Sequence, residues 1–565
     1  MEYINLVEVY EELENTSKRL EKTKIIADFL KKVKIEDIKQ VIYLLQGSVF
    51  PKWDERELGI SSQLTLKVIH HSTGFSIKEI ESLWKKTGDL GLTAEELVKQ
   101  KRQSTLFHKT LTIDKVFTNI QKIPEFIGSG TVSKKIDLIA ELLSQAKPKE
   151  AKFIIRTILG ELRIGVAEGV LRDSLAQAYD IDVKILEKTA DMLMDYGEVA
   201  LLAIKGKKAI EKIGLIPGRP FKVMLAIRSE NIDEAFKALG KKVQCEYKFD
   251  GFRSTIHNKD GNIQLFTRRL DNITNQFKEL IPIIKENVKG KNYILDSELV
   301  GYNPKSRNYL PFQSISQRIK RKYDIKKIAK EFPVEINIFD IVLYNGSSVM
   351  KNNLVERRKL LEKIVNQVPK KIVLTKKIVS DNKKEIEKFY KEALNNGMEG
   401  LMIKNLDSIY VPGRRVGGWL KLKPTMENLD LVITGAQWGE GKRVTWLSSF
   451  NLSCYDEPSK QFLEIGKVGT GIKEKSEGVT FQHLTKELKK YVKETKGKTV
   501  TLLPKLVVEI AYEEIQKSPT YASGMALRFP RIIRIRPEKS PYEVNTLKEI
   551  QTIFNKQKKI SSHSN

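Results

Sequence analysis

Residues Cys245 to Arg253 read CEYKFDGFR, a strand-like run that sets a lysine between two carboxylates and ends on Asp-Gly-Phe-Arg. Side chains two apart in a strand share a face, so Glu246, Lys248 and Asp250 project together before Gly251 releases the backbone. Such a face makes poor core, so the strand borders solvent or a site. An unperturbed lysine has a pKa near 10.4, which leaves about one molecule in 2,500 as free amine at pH 7. A nucleophilic lysine therefore needs positive charge, a metal or desolvation nearby. Flanking carboxylates alone favour the ammonium form. Read by itself, the stretch favours a salt-bridged surface lysine, and residues elsewhere in the chain must overturn that reading.

On either side of this stretch the hydrophobic period changes. From Met1 to about Leu215 it is helical, with Leu6, Val9, Tyr10 and Leu13 on one face of a first amphipathic helix and further helices over Ile25–Leu30, Ile38–Leu45 and Lys184–Met194. The turn-forming IPGRP, Ile216 to Pro220, breaks that pattern. Beyond it, strand-length apolar runs alternate with helices: VQCEYKF, IQLFTRR after the hairpin turn NKDGN, YILDSELVGY, VEINIFDIVLY and GLMIKN. After Pro424 short strands with glycine-containing turns recur, in a length that suits a small OB-type barrel. The spacing predicts three domains: an all-α domain over 1–216, a mixed α/β domain over 217–424, and an all-β OB-fold barrel over 425–565. The polar end FNKQKKISSHSN is expected to fray.

At 565 residues the chain is long enough for several cores. Lys and Arg number 99 against 71 Asp and Glu, a formal +28 that points to a polyanionic partner. Two cysteines exclude a disulfide framework or a cysteine-based zinc module, and six scattered histidines argue against a histidine metal site. The N-terminus carries acidic residues where a signal peptide needs a basic segment, and no run approaches a membrane span. A soluble intracellular protein without a membrane partner is expected.

Polar residues then recur in strand contexts. Arg253 follows Asp250, TRRLDN supplies Arg268, DSELVG sets Glu298 among apolar neighbours, IFDIVLY places Phe339 beside Asp340, EGLMIK contributes Glu399, and GRRVGGWLKLKP contributes Arg414, Arg415, Lys421 and Lys423. Near the end, ALRFPRIIRIRPEK carries Arg528, Arg531 and Lys539. In this order and spacing the motifs resemble those of the covalent nucleotidyltransferase superfamily, and specifically of ATP-dependent DNA ligases of the archaeal and eukaryotic replicative type. The resemblance covers nearly the whole chain. It extends into the helical region, where LGELRIGVAEGVLRDSLAQA, Leu159 to Ala178, is similar to that family's DNA-binding domain.

The resemblance implies that Lys248 attacks the α-phosphate of ATP, expelling pyrophosphate and forming lysyl-AMP. AMP then passes to the 5′-phosphate of a nick, and the 3′-hydroxyl closes the phosphodiester. It implies nucleotide contacts from Glu246, Arg253, Arg268, Glu298, Phe339, Arg415, Lys421 and Lys423, with Phe339 stacking on the base. Glu298 and Glu399 would hold Mg2+, or Mn2+ in its place. Arg528, Arg531 and Lys539 would orient the leaving pyrophosphate while the barrel is closed over ATP. Arg163, Gly165 and Gly169 would meet DNA phosphates, the glycines by letting backbone amides approach. KRQSTLFHKT resembles a shortened clamp-binding motif, with Gln103, Leu106 and Phe107 as the docking residues on a sliding clamp. The partner is nicked duplex DNA, bound by a monomer in the cytoplasm of an archaeal-type cell or the nucleus of a eukaryotic one. A capping guanylyltransferase or RNA ligase shares the lysine motif but not the helical domain. An NAD-dependent ligase requires four zinc cysteines.

Overall fold

The computed structural model describes residues 1–565 except 102–109, 129, 321–322, 414–417, 425, 440–442, 475–477 and 563–565. The chain divides into two compact units. One comprises Met1–Ala226, Gly251–Thr375 and Leu406–Trp419, and the other Ile227–Asp250, Lys376–Asn405 and Leu420–Asn565.

The first unit begins with the helical region. The face expected from sequence is the buried face of helix Tyr3–Glu14, where Leu6, Tyr10 and Leu13 are fully buried. The later expectations fall on helices Arg19–Leu30, Ile35–Leu45 and Val183–Leu193. Local chemistry fixes the helix ends: Ser76 and Glu79 form a capping box, and the Asp89 carboxylate accepts from the amides of Gly91 and Leu92. The same unit holds an antiparallel sheet in the order Asn262–Thr267, Phe252–Lys259, Tyr293–Gly301, Val334–Tyr344, Ser347–Ser348, with Ile372–Leu374 parallel to Val334–Tyr344. NKDGN makes the tight hairpin expected of it: Lys259 faces Asn262 across Asp260 and Gly261, both left-handed at φ 50° and 87°. Phe252, Ile256, Leu295, Leu299, Ile336 and Ile338 fill the core beneath this sheet.

In the second unit a five-stranded sheet runs Ile227–Ser229, Trp419–Leu422, Gly400–Asn405, Val243–Lys248, Lys377–Ser380. Its C-terminal part is an antiparallel sheet built around the long strand Leu429–Trp438, which pairs with Leu447–Asp456 on one side and with Thr499–Leu502 and Val507–Ala511 on the other. One expectation fails at the chain end. Instead of fraying from Phe554, the chain is helical over Leu547–Ser562, from which Ile550 and Phe554 enter the core of the sheet, while 563–565 lie outside the described residues. Leu547, Ile550, Ile553 and Phe554 recur at helical spacing, a stripe outweighed by polar neighbours when composition alone is read. Among the described residues no helix is long and apolar enough to cross a membrane.

Candidate active site

Lys248 closes strand Val243–Lys248 and faces Gly400 across the antiparallel pair with Gly400–Asn405. The register is locked by the Glu399 amide, which donates to the Lys248 carbonyl at 2.8 Å. That places the Glu399 carboxylate 2.6 Å from the Lys248 ammonium. Gly400 sits at φ 143°, and a Cβ there would lie 2.1 Å from the Leu422 carbonyl. Glycine thus permits the close approach of Trp419–Leu422, after which Lys423 reaches the same Glu399 oxygen at 2.9 Å. Lys423 also lies 3.3 Å from Glu513, which sits between strands Val507–Ala511 and Glu514–Lys517.

The electrostatics follow from this arrangement. Burial alone would raise the Glu399 carboxyl, but Lys248 and Lys423 outweigh it and push it down to about 2. Glu513 is likewise held below the usual carboxylate range, burial being overcome by Lys423 and Lys421. Lys421, half-buried, is depressed chiefly by burial and then by repulsion from Lys423 and Lys248, against the pull of Glu513 and Glu399. Arg528 pairs with Glu514 at 3.1 Å. Burial works against its charge, but Glu514, with help from Glu399 and Asp250, holds the guanidinium protonated. The other two expected pyrophosphate residues stand differently: Lys539 pairs with Asp430 at 2.6 Å, and Arg531 is exposed at the start of its strand.

Glu246 is almost wholly buried. Its carboxylate accepts from the Lys404 ammonium at 2.7 Å and from the Gln244 amide at 2.6 Å, and Lys404 is equally buried. Lys404 went unread in the sequence. Its only signal there is a lysine closing the otherwise apolar GLMIK run, inside a strand where a lone charge requires a partner.

In the first unit, Gly251 explains the Asp-Gly of the opening motif. A Cβ there would lie 2.4 Å from the Leu299 carbonyl and 3.0 Å from the Glu298 side chain, so strands Phe252–Lys259 and Tyr293–Gly301 close up only around glycine. Arg253 stands opposite Glu298 in that pair. Its guanidinium grips Asp296 bidentately at 2.9 and 2.5 Å, donates to the Met224 carbonyl at 2.6 Å, and meets Tyr410, whose hydroxyl donates to Asp296 at 2.7 Å. The same guanidinium lies 5.3 Å from the centre of the Phe339 ring and 5.7 Å from that of Trp419. Phe339 and Trp419 meet edge to face, 6.1 Å apart. Next to Phe339, Asp340 is held by Arg357 at 2.7 and 2.9 Å, both side chains fully buried. Asp296, Tyr410 and Trp419 were not singled out by sequence, since nothing in its spacing pairs Asp296 with Arg253.

Arg268 lies in the turn after Asn262–Thr267. With Arg269, Lys52 and Lys222 it lines a 400 Å³ cavity. Arg163, Gly165 and Gly169 lie in and just after the connection between helices Pro148–Ile158 and Glu168–Tyr179. Arg163 is left-handed at φ 59° and pairs with Asp89 at 3.1 Å and Glu161 at 2.5 Å. Arg415 and the three clamp candidates, Gln103, Leu106 and Phe107, lie outside the described residues. Among the described residues no group of three or more His, Cys, Asp or Glu gathers to hold a metal ion, and the two expected magnesium carboxylates, Glu298 and Glu399, belong to different units.

A family model described as DNA ligase N terminus matches residues 2–176, one described as ATP dependent DNA ligase domain matches 223–423, and one described as ATP dependent DNA ligase C terminal region matches 443–539. The DNA ligase of Nanoarchaeum equitans is 46% identical over 562 residues, covering 99% of both chains. That of Thermococcus onnurineus is 40% identical, over 100% of this chain and 99% of its own. A solved structure described as Pmar-Lig_PreS3 shares the fold at TM-score 0.56 and 18% identity, over 94% of this chain and 99% of its own.

Proposed function

The chain belongs to the ATP-dependent DNA ligase family, and we propose that Lys248 is the group that carries AMP from ATP to the 5′-phosphate of a nick. The observation that carries this reading is the chain of contacts Lys248–Glu399–Lys423, a lysine held in a cationic cluster at the end of a strand. The amine attacks the α-phosphorus, an N–P bond forms, and the bond to the pyrophosphate oxygen breaks. At rest the Glu399 carboxylate favours the ammonium, so the cluster must be rearranged before attack. The α-phosphate gathers Lys423 and Lys421 beside Lys248, and those cations offset the phosphate charge and favour the free amine. The ammonium proton passes to solvent, to which Lys248 is 20% exposed.

Arg253 supplies a preset guanidinium for the nucleotide, held by Asp296 and Tyr410, and Phe339 offers a flat ring for the base. Glu246, kept in place by Lys404, is the acceptor for the adenine amino group. Arg268 serves the nick phosphate, and Arg415 joins the α-phosphate cations. Arg528, Arg531 and Lys539 orient pyrophosphate, the last after releasing Asp430. Glu399 and Glu298 would be the carboxylates that hold Mg2+. The metal, when bound, supplies charge neutralisation on phosphate oxygens.

The domains are taken as 1–216, 217–424 and 425–565, each of which contains one of the three family-model matches. Arg163, Gly165 and Gly169 contact duplex phosphates, and Gln103, Leu106 and Phe107 dock on a clamp. The enzyme acts as a cytoplasmic monomer. Incubation with labelled ATP tests the core of this reading: a covalent AMP adduct is expected, and Lys248→Ala abolishes it. An adduct that survives the substitution, or one formed from GTP in place of ATP, refutes it.

A further inference from the structure

In the helical region, one lysine that no step above uses is buried beneath the segment assigned to duplex contact. Lys22, on helix Arg19–Leu30, is 7% exposed. Its ammonium donates to the carbonyl of Leu13, in the last turn of helix Tyr3–Glu14, at 2.7 Å, and also to the carbonyl of Ile164. A lysine buried at this depth loses its hydration, and two carbonyl acceptors are what make the position tolerable.

The segment above it is conformationally demanding. Gly160, Arg163 and Gly165 all have positive φ, at 68°, 59° and 66°. Leu162 and Ile164 point into the core. Gly165 fits Lys22 closely, since a Cβ there would lie 2.7 Å from the ammonium. Gly169 backs onto the same helix: a Cβ there would come within 3.3 Å of the Arg19 guanidinium, which pairs with Asp173. The bend that points Arg163 outward is therefore fastened from inside by the Lys22 ammonium.

We propose that Lys22 is a positioning residue for duplex binding. By hydrogen-bonding Ile164, it holds the Gly160–Gly169 segment in the one backbone shape that presents Arg163 and the neighbouring amides to a phosphate. This rests on the reading that the segment touches the duplex.

The test uses the full-length enzyme and a nicked duplex oligonucleotide. Lys22→Met is expected to raise the KM for nicked DNA about tenfold or more, since a hydrogen bond to a charged group is lost. Its kcat at saturating DNA and its rate of AMP-adduct formation stay near the parent values. Lys22→Arg, which keeps a cationic donor, recovers most of the affinity. Gly165→Ala reproduces the defect from the other side of the contact, and the double variant is no worse than the poorer single one, as expected of two changes acting through one contact. A Lys22→Met enzyme with unchanged KM overturns the inference, as does one whose adduct formation falls in step with sealing, because that pattern assigns Lys22 to stability alone. Arg163→Ala separates this failure from that of the underlying reading. If Arg163→Ala weakens DNA binding and Lys22→Met does not, only the positioning role fails. If neither does, the segment does not touch the duplex.

Discussion

Glu513→Gln is expected to make the enzyme a better acceptor of ATP. In the nucleotide-free cluster the Glu513 carboxylate lies 3.3 Å from the Lys423 ammonium, a cation assigned to the α-phosphate. ATP must compete with that carboxylate for the lysine. At this separation the attraction between unit charges is about 1 kcal/mol with the screening of bulk water and about 5 kcal/mol at an effective dielectric near 20. Both side chains retain some solvent exposure, 20% for Lys423 and 29% for Glu513, so the lower end of the range applies. About 1 kcal/mol corresponds to roughly a fivefold change in affinity. Glutamine keeps the shape and a hydrogen-bonding oxygen and removes only the charge. The initial rate of AMP-adduct formation against ATP concentration should therefore give a KM about fivefold lower with little change in the maximal rate, and the advantage should shrink as salt is added. A KM that rises would mean that Glu513 helps to assemble the site rather than competing for it. An unchanged KM would mean that the pair dissolves before ATP arrives. Either result refutes the reasoning.

Further outcomes follow from the surrounding framework. His257 is fully buried, and burial pushes its imidazole down to about 3. The unfolded chain takes up the proton first, so stability is intact above the ordinary histidine pKa of about 6.5 and is lost as pH falls from there toward 3. Near pH 5 the loss is about 2 kcal/mol, and a urea midpoint that drops between pH 7 and pH 5 in the parent but much less in His257→Gln checks it. Asp296→Ala leaves the Arg253 guanidinium buried without its carboxylate, which lowers stability by about 3–5 kcal/mol. A clear fall in Tm and weak adduct formation are expected together. Gly251→Ala drives a Cβ against the Leu299 carbonyl. About 1–3 kcal/mol of destabilisation and slowed adduct formation are expected, and parental behaviour in both assays would show that the strand pair yields easily.

Most of the strand and helix pattern was legible in the sequence because it depends on local period. Leu6, Tyr10 and Leu13 declare one helix face, and Asp260-Gly261 declares a hairpin. The site residues were legible as an ordered set of motifs, but their partners were not. In the opening stretch, Glu246 looked like a carboxylate flanking the nucleophile. It is instead tied to Lys404, 158 residues away, while the carboxylate 2.6 Å from Lys248 comes from Glu399. Asp296 is opaque for the same reason: its role is set by a register between strands, and a sequence carries no direct record of register. The helix at Leu547–Ser562 was missed for a different one, a four-residue apolar stripe masked by the lysines and glutamines around it.

The ion pairs Lys404–Glu246, Arg357–Asp340 and Arg253–Asp296 share one property: each is almost entirely withdrawn from water on at least one side. The penalty for stripping water from such groups falls as temperature rises, while apolar burial gains little more per unit of area. Warming therefore shifts the balance of stabilisation toward these pairs and away from the hydrophobic layers around them. The strands around Glu246 in one unit, and those around Phe339 and Arg253 in the other, are thus the parts that heat should loosen last.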